Sequence, residues 1–196
     1  MVYFYSMKKS ERTKKFIIDR VAPIFNQKGV YATSLHDLTE ATGLTKGAIY
    51  GNFENKDALA IACFLHNLKF LQKGLYQSLA LGGATQKKLM SLIDFYRSNY
   101  DQIAELGGCP LMNSAIEADD GYELLKKEVE KTFKQWEREI EGILSVGLQK
   151  GEINKNTDLV KFATSFIAQI EGGILLAKSM DDPNYFFRTM EGLEEQ

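Results

Sequence analysis

Apolar residues recur at three- and four-residue steps through almost the whole chain, and no segment sustains the two-residue alternation of a half-buried strand. That periodicity predicts an all-α fold of about nine helices. A first helix is expected over residues 13–28, with Phe16, Ile17, Val21, Ile24 and Phe25 turned inward and Gly29 as its stop. Pro23 lies inside it, and because proline lacks the amide that closes a helical turn, a local kink is expected there. Two short helices follow. A fourth opens on Asn55 as N-cap and carries Leu59, Phe64, Leu68 and Leu71 to about Leu81, where Gly82 and Gly83 break the pattern. Another covers 85–106. The run Gly107-Gly108-Cys109-Pro110 is then expected to be a loop, with a short helix after it to about Ala118. A long helix is expected over 122–149, stopped by Gly151, and a last pair over 157–180 and 182–193. No period of roughly 20 to 50 residues repeats, which argues against a solenoid.

Residues 33–53 hold the densest run of local signals. Ser34 and Asp37 have the spacing of a capping box, and Leu35, Leu38 and Ala41 would share the buried side of the helix it starts. Small Ala41 lets the next helix cross closely, while Gly43 is free to take the left-handed conformation of a tight turn plugged by Leu44. Thr45 caps a second short helix whose inner residues are Ile49 and Phe53. Lys46, Gly47, Ala48, Tyr50 and Asn52 therefore face outward. A helix of this kind fits the major groove of DNA with its first turn nearest the base edges, which makes Lys46 the candidate for reading guanine acceptors. Gly47 and Ala48 keep the helix close to the bases. Tyr50 and Lys56, with the hydroxyls of Thr33 and Ser34, are expected to hold phosphates, which position a protein without reading sequence.

Charge supports that reading once its distribution is considered. The 196-residue chain has a net charge of -2, a poor advertisement for a polyanionic partner. Through Lys56, however, nine cations face five anions, and the negative excess belongs to the remainder. Such asymmetry fits a basic DNA-binding head over residues 1–54 joined to an acidic body over 55–196. Cys63 and Cys109 are too sparse for a disulfide scaffold, which suits a reducing compartment. The apolar opening Met1 to Ser6 has its basic residues after rather than before it, so no signal peptide is expected, and Met7 is an alternative start. The longest apolar runs are interrupted by charge, as at Glu171, so a cytoplasmic protein with no membrane partner is expected.

An enzyme is not expected. The chain has no phosphate-cradling glycine loop after a strand, no nucleophile elbow and no HExxH. Glu117, Asp119 and Asp120 read as a solvated helix end. His36 and His66 stand alone on different helices, so no metal and no cofactor is expected, and Cys109 reads more simply as an inert buried thiol than as a redox switch.

The ordered set Phe25, Gly29, Thr33, Ser34, Leu38, Ala41, Gly43, Leu44, Lys46, Gly47, Ile49, Tyr50, Phe53, Lys56 and Leu59 resembles the TetR family of regulators over about residues 13–60. Beyond residue 60 the likeness is one of length and helical architecture, plus the Gly-Cys-Pro loop followed by Asn113 and Glu117. Two departures stand out: Pro23, and Gly51 inside the reading helix, where glycine lowers helix stability by up to ~1 kcal/mol relative to alanine. The resemblance implies a homodimer on a palindromic DNA operator, a repressor released by a small-molecule effector. It implies a four-helix dimer bundle built from the last two helices, for which Phe162, Phe166, Ile167, Ile170, Ile174, Phe186 and Met190 are the expected contacts, with Gly172 and Gly173 allowing close approach. It also implies an effector pocket among residues 60–180, with Phe95, Tyr96, Tyr100, Met112, Asn113, Glu117, Phe133, Trp136, Phe166 and Ile170 as lining candidates. Competing readings are a regulator that needs no ligand, and a ligand-binding helical protein whose helix-turn-helix is vestigial.

Overall fold

The computed structural model describes residues 8–80, 82–119 and 121–195. The expectations placed on Met1 to Met7, Leu81 and Asp120 fall outside them. Ten helices and no strand occur among the described residues. The first, α1 (Lys9–Lys28), starts four residues before the expected point, because the Glu11 carboxylate accepts the Lys8 N–H at 2.9 Å and secures an extra turn. It runs unbroken through Pro23 to Gly29. Helices α2 (Leu35–Thr42) and α3 (Lys46–Tyr50) follow, and α4 (Lys56–Ala80) opens with Asn55 Oδ1 accepting the Ala58 N–H at 2.8 Å.

Two cores share that fourth helix. In the head, Ile17, Val21, Ala22 and Phe25 of α1 pack with Leu38, Ile49 and Phe53, and Leu59, Ala60 and Cys63 of α4 close the cluster. From Phe64 onward α4 belongs to the core of the body. Two side chains expected in the head core lie at its margin instead. Phe16 is 40% exposed and rests under the Arg20 guanidinium, 5.7 Å from the ring centre, while Leu35 is also exposed. Thr42 fills the buried side in its place by donating its hydroxyl to the Leu38 carbonyl at 2.7 Å.

The body continues with α5 (Thr85–Ser98) and α6 (Tyr100–Glu105), one expected helix divided at Asn99, whose side-chain amide donates to the Phe95 carbonyl at 2.7 Å. Pro110 occupies the first turn of α7 (Pro110–Ala118), where its missing amide costs nothing. Then come α8 (Glu123–Lys150), ended by left-handed Gly151, α9 (Leu159–Met180), capped by Asp158, and α10 (Asn184–Glu194). Helix α9 is long and apolar enough to match a membrane span by composition, against expectation, with mean hydropathy 1.4. Much of that character is spent inside the subunit. Its Ala163, Phe166, Ile170, Ile174 and Ala177 pack in the body core with Phe186 and Met190 of α10.

That packing corrects the expected dimer contacts. Phe166, Ile167, Ile170, Ile174, Phe186 and Met190 are buried in their own subunit, and Phe162 packs half-buried against the same core, because α10 folds back over the bulky stripe of α9. Gly173 serves the same intrachain approach: a Cβ there would lie 3.1 Å from Thr189 of α10. The outer side of α9 carries a different apolar set, with Leu175 41% and Leu176 47% exposed beside exposed Met180.

Candidate nucleic-acid interface

The turn between α2 and α3 is built as its sequence signals require. Ser34 Oγ accepts the Asp37 N–H at 3.2 Å and Asp37 accepts the Ser34 N–H at 2.6 Å, completing the capping box. Gly43 ends α2 at φ 66°, a conformation that disfavours side chains. Thr45 Oγ1 then accepts the Ala48 N–H at 3.2 Å and starts α3. The Lys28 ammonium, 2.8 Å from Asp37, pins the end of α1 to the start of α2, and with the Ser34 donors it holds the Asp37 carboxyl well below the usual range.

Among the residues expected to face DNA, Ser34, Thr45, Lys46 and Gly47 are exposed, and Ala48, Tyr50, Asn52 and Lys56 are half-buried. Asn52 is partly committed, since its amide donates to the Ala48 carbonyl at 2.8 Å. Thr33 leaves the set. It is 1% exposed and its hydroxyl donates to the Gly29 carbonyl at 2.6 Å, so it closes the α1–α2 loop from inside. Lys56 donates to the Thr33 carbonyl at 2.6 Å, which stiffens the same loop. Gly51 lies at the end of α3 rather than inside it, and a Cβ there would come within 2.9 Å of the Gly47 carbonyl oxygen. One neighbour was not anticipated: the Lys14 ammonium sits 5.8 Å from the Phe53 ring centre, which brings the exposed cations of α1 beside the end of α3.

The head is tied to the body by polar bonds. Buried Asn26 donates to the Leu106 and Gly108 carbonyls at 2.6 and 3.0 Å, and Gln27 donates to Glu105 at 2.8 Å. From α7, Asn113 donates to the Asn26 and Gly107 carbonyls at 3.1 and 2.9 Å. Glu117 accepts the Val30 and Tyr31 N–H groups at 2.7 and 2.5 Å. Gly29, at φ 88°, leaves room for that carboxylate, since a Cβ would meet Glu117 Oε1 at 2.9 Å. Asn113 and Glu117 border an open groove of about 490 Å³, but their polar atoms are engaged in holding head to body.

The other expected pocket residues do not line one cavity. Tyr96 and Trp136, with rings stacked at 5.9 Å, border a cavity of about 40 Å³ together with Leu68, Leu71 and Leu75 of α4 and Leu111 of α7. Glu139 lies on its wall, and Trp136 Nε1 and Glu139 Oε2 are both buried without a hydrogen-bond partner among the described residues. Phe95 packs on Phe70, Tyr100 stacks on Phe186 at 4.7 Å, and Met112 and Phe133 pack against the core. Phe166 borders a separate crevice with Phe162, and Ile170 is plain core. Glu139 was missed because a carboxylate on an otherwise charged helix gives no sequence signal; its position one turn from the sole tryptophan was the available hint.

Deeper in the body, the Cys109 thiol donates to Glu171 Oε1 at 3.0 Å. Glu171 is 7% exposed and its second oxygen has no partner among the described residues. Burial lifts its carboxyl to about 7, and burial together with this neighbour lifts the Cys109 thiol well above its ordinary range.

Residues 17–63 match the family described as "Bacterial regulatory proteins, tetR family", and residues 85–193 match "Tetracyclin repressor-like, C-terminal domain". A TetR-family transcriptional regulator from Cytophaga hutchinsonii superposes with a TM-score of 0.90 at 40% identity, covering 97% of this chain and 95% of its own. An HTH-type transcriptional regulator in the lacX 3′ region of Lactococcus lactis subsp. lactis is 29% identical over 88% of this chain and 86% of its own length. The HTH-type transcriptional repressor DhaR of Mycobacterium sp. (strain GP1) is 22% identical over 84% of this chain and 82% of its own.

Proposed function

This chain belongs to the TetR family of helix-turn-helix transcriptional regulators, and from that premise we propose that it is a repressor which binds a palindromic operator as a dimer and releases it when a small molecule enters the body. The observation that carries the reading is α3 itself, a short rod with exposed Lys46 and Gly47 projecting from a head with an excess of positive charge. Lys46 reads base edges in the major groove. Ser34, Tyr50, Lys56 and the cations of α1 hold phosphates around it. Such a protein works in the cytoplasm, where its operator is.

Dimerisation follows from the outer face of α9, where Leu175, Leu176 and Met180 leave apolar area exposed and half-buried Gly172 permits close helix approach. Two heads held by that face must meet successive major grooves roughly 34 to 36 Å apart, so a small change in their spacing forfeits half the contacts. Helix α7 is suited to impose that change. Its first turn puts Leu111 on the cavity wall, and its later turns put Asn113 and Glu117 on the head. A ligand that displaces Leu111 therefore pulls on the backbone at Asn26 and Val30, and operator affinity changes by the ligand's preference for the displaced state.

Selection of bound duplexes from a random DNA pool, with sedimentation of the protein–DNA complex, tests the proposal. A palindromic consensus bound by two subunits is expected. Recovery of no preferred sequence at moderate salt, or of an asymmetric site bound by a single subunit, would refute it.

A further inference from the structure

The cavity wall that meets Leu111 holds two polar atoms with nothing to bond. Trp136 Nε1 is a donor and Glu139 Oε2 an acceptor, and both are buried on the margin of the cavity. Leaving such groups unpaired is expensive, and a protein tolerates it where an incoming molecule completes the bonds. The rest of the wall sets leucines and tyrosine rings beside Gln72, Thr132 and Gln135, and none of these bonds Trp136 Nε1 or Glu139 Oε2. Gln135 Nε2 donates to Glu139 Oε1 at 3.0 Å, which fixes the carboxylate and leaves Oε2 as the open position. Glu139 has no ion-pair partner among the described residues, although Lys126, Lys127, Lys131 and Lys134 along the same helix are each paired with another carboxylate.

We infer that this cavity takes an organic amine: an apolar body lying against Tyr96 and Trp136, a protonated nitrogen donating to Glu139 Oε2, and an oxygen accepting from Trp136 Nε1. The inference rests on the proposal that the body binds the effector, and it names that effector's chemistry. A cation suits the site on two counts. It pairs with the carboxylate by a charge-assisted bond, and aromatic faces attract positive charge. A carboxylate or phosphate ligand would meet Glu139 with like charge in a sheltered place, and a pure hydrocarbon would leave both polar atoms unpaired. The cavity is narrow, so a ligand of drug size enters by parting its rim. The hydrogen bond from Gln135 Nε2 to Tyr76 Oη, long at 3.3 Å, spans the rim between α8 and α4 and is the contact that yields.

Trp136 is the sole tryptophan of the chain, so its emission reports on this wall alone. The full-length protein is titrated with 4-phenylbutylamine, 4-phenylbutanol and 4-phenylbutyrate, which share one body and differ in the charge of the head group. The amine is expected to change Trp136 emission saturably and to bind roughly tenfold tighter than the alcohol, with the butyrate weakest. Glu139→Gln is expected to abolish the preference for amine over alcohol, with the larger loss of affinity falling on the amine. The wild-type comparison stands even if that variant folds poorly. Equal or tighter binding of the butyrate or the alcohol, no response to any of the three, or an amine preference that survives in a folded Glu139→Gln protein would each overturn the inference. The same probes added to the protein on its selected duplex separate this inference from the proposed function. Amine binding without DNA release sinks the effector role and keeps the amine site, whereas release by the butyrate alone does the reverse.

Discussion

Lys46 and Lys56 carry the same charge in different settings. Lys46 is exposed at the start of α3, whereas the Lys56 ammonium already donates to the Thr33 carbonyl. Lys46→Ala is therefore expected to cost ~1 to 3 kcal/mol on the cognate duplex and little on random DNA, seen as a lost sequence preference in competition binding. Lys56→Ala is expected to weaken all duplexes alike, reduce the salt slope by about one, and lower the melting temperature slightly as the α1–α2 loop loosens. Glu171 gives a pH signature. Its carboxyl titrates near 4.5 in the unfolded chain and at about 7 in the fold, so the folded state holds its proton more tightly. The stabilisation is whole below about 4.5, shrinks as pH rises, and is gone above about 7, an effect on the order of 3 kcal/mol. Glu171→Gln is expected to flatten the fall in melting temperature between those limits and to be the more stable protein at pH 8; an unchanged pH profile would contradict this. At this scale the sequence was legible where chemistry is local, as in the Ser34–Asp37 box and the Thr45 cap. It was silent where function depends on distant neighbours: nothing near Thr33 says that its hydroxyl turns inward, and nothing near Glu117 says that it reaches Val30.

Helix starts and stops were readable because caps and glycines act within one turn, and Gly29, Gly43 and Gly151 stand where the pattern placed them, whereas Pro110, expected in the loop, opens α7. The break at Asn99 was not, because the apolar period continues across it from Tyr96 to Tyr100 and Ile103. Nor was the orientation of α9, whose apolar band is wide enough to feed two surfaces; only the return of α10 decides which side is inside. Helix α8 meets α5 through Gly147, where a Cβ would overlap the Thr85 side chain that anchors on Glu152 at 2.8 Å. Gly147→Ala is expected to force the two helices apart and destabilise the body by ~1 to 3 kcal/mol, despite alanine's better helix propensity. Denaturant titration checks the sign. Helix α7 has its own test: Glu117→Gln removes one of two charge-assisted acceptors for the 30–31 backbone, worth ~1.5 to 3 kcal/mol. Faster amide exchange at Val30 and Tyr31, with α3 amides unchanged, is the expected readout.

For the molecule as a whole, the asymmetry of charge between head and body was legible in the sequence, and the helical architecture followed from period alone. The face proposed for dimerisation was not legible there, because only the return of α10 over the bulky stripe of α9 leaves Leu175 and Leu176 outside. Leu175→Glu or Leu176→Glu is expected to raise the dimer dissociation constant ~100-fold or more, about 3 kcal/mol, with the subunit still folded; sedimentation and circular dichroism read the two parts separately. Ile174→Glu is expected instead to unfold the body, since its side chain is 2% exposed. The fourth helix has a further consequence. Because Leu59, Ala60 and Cys63 roof the head while the turns beyond them wall the body, the chain has no seam at which a cut leaves two intact pieces. A fragment stopping at residue 54 would present a raw oily socket to water, and grafting this head onto another regulator demands carrying the fourth helix along as its stem.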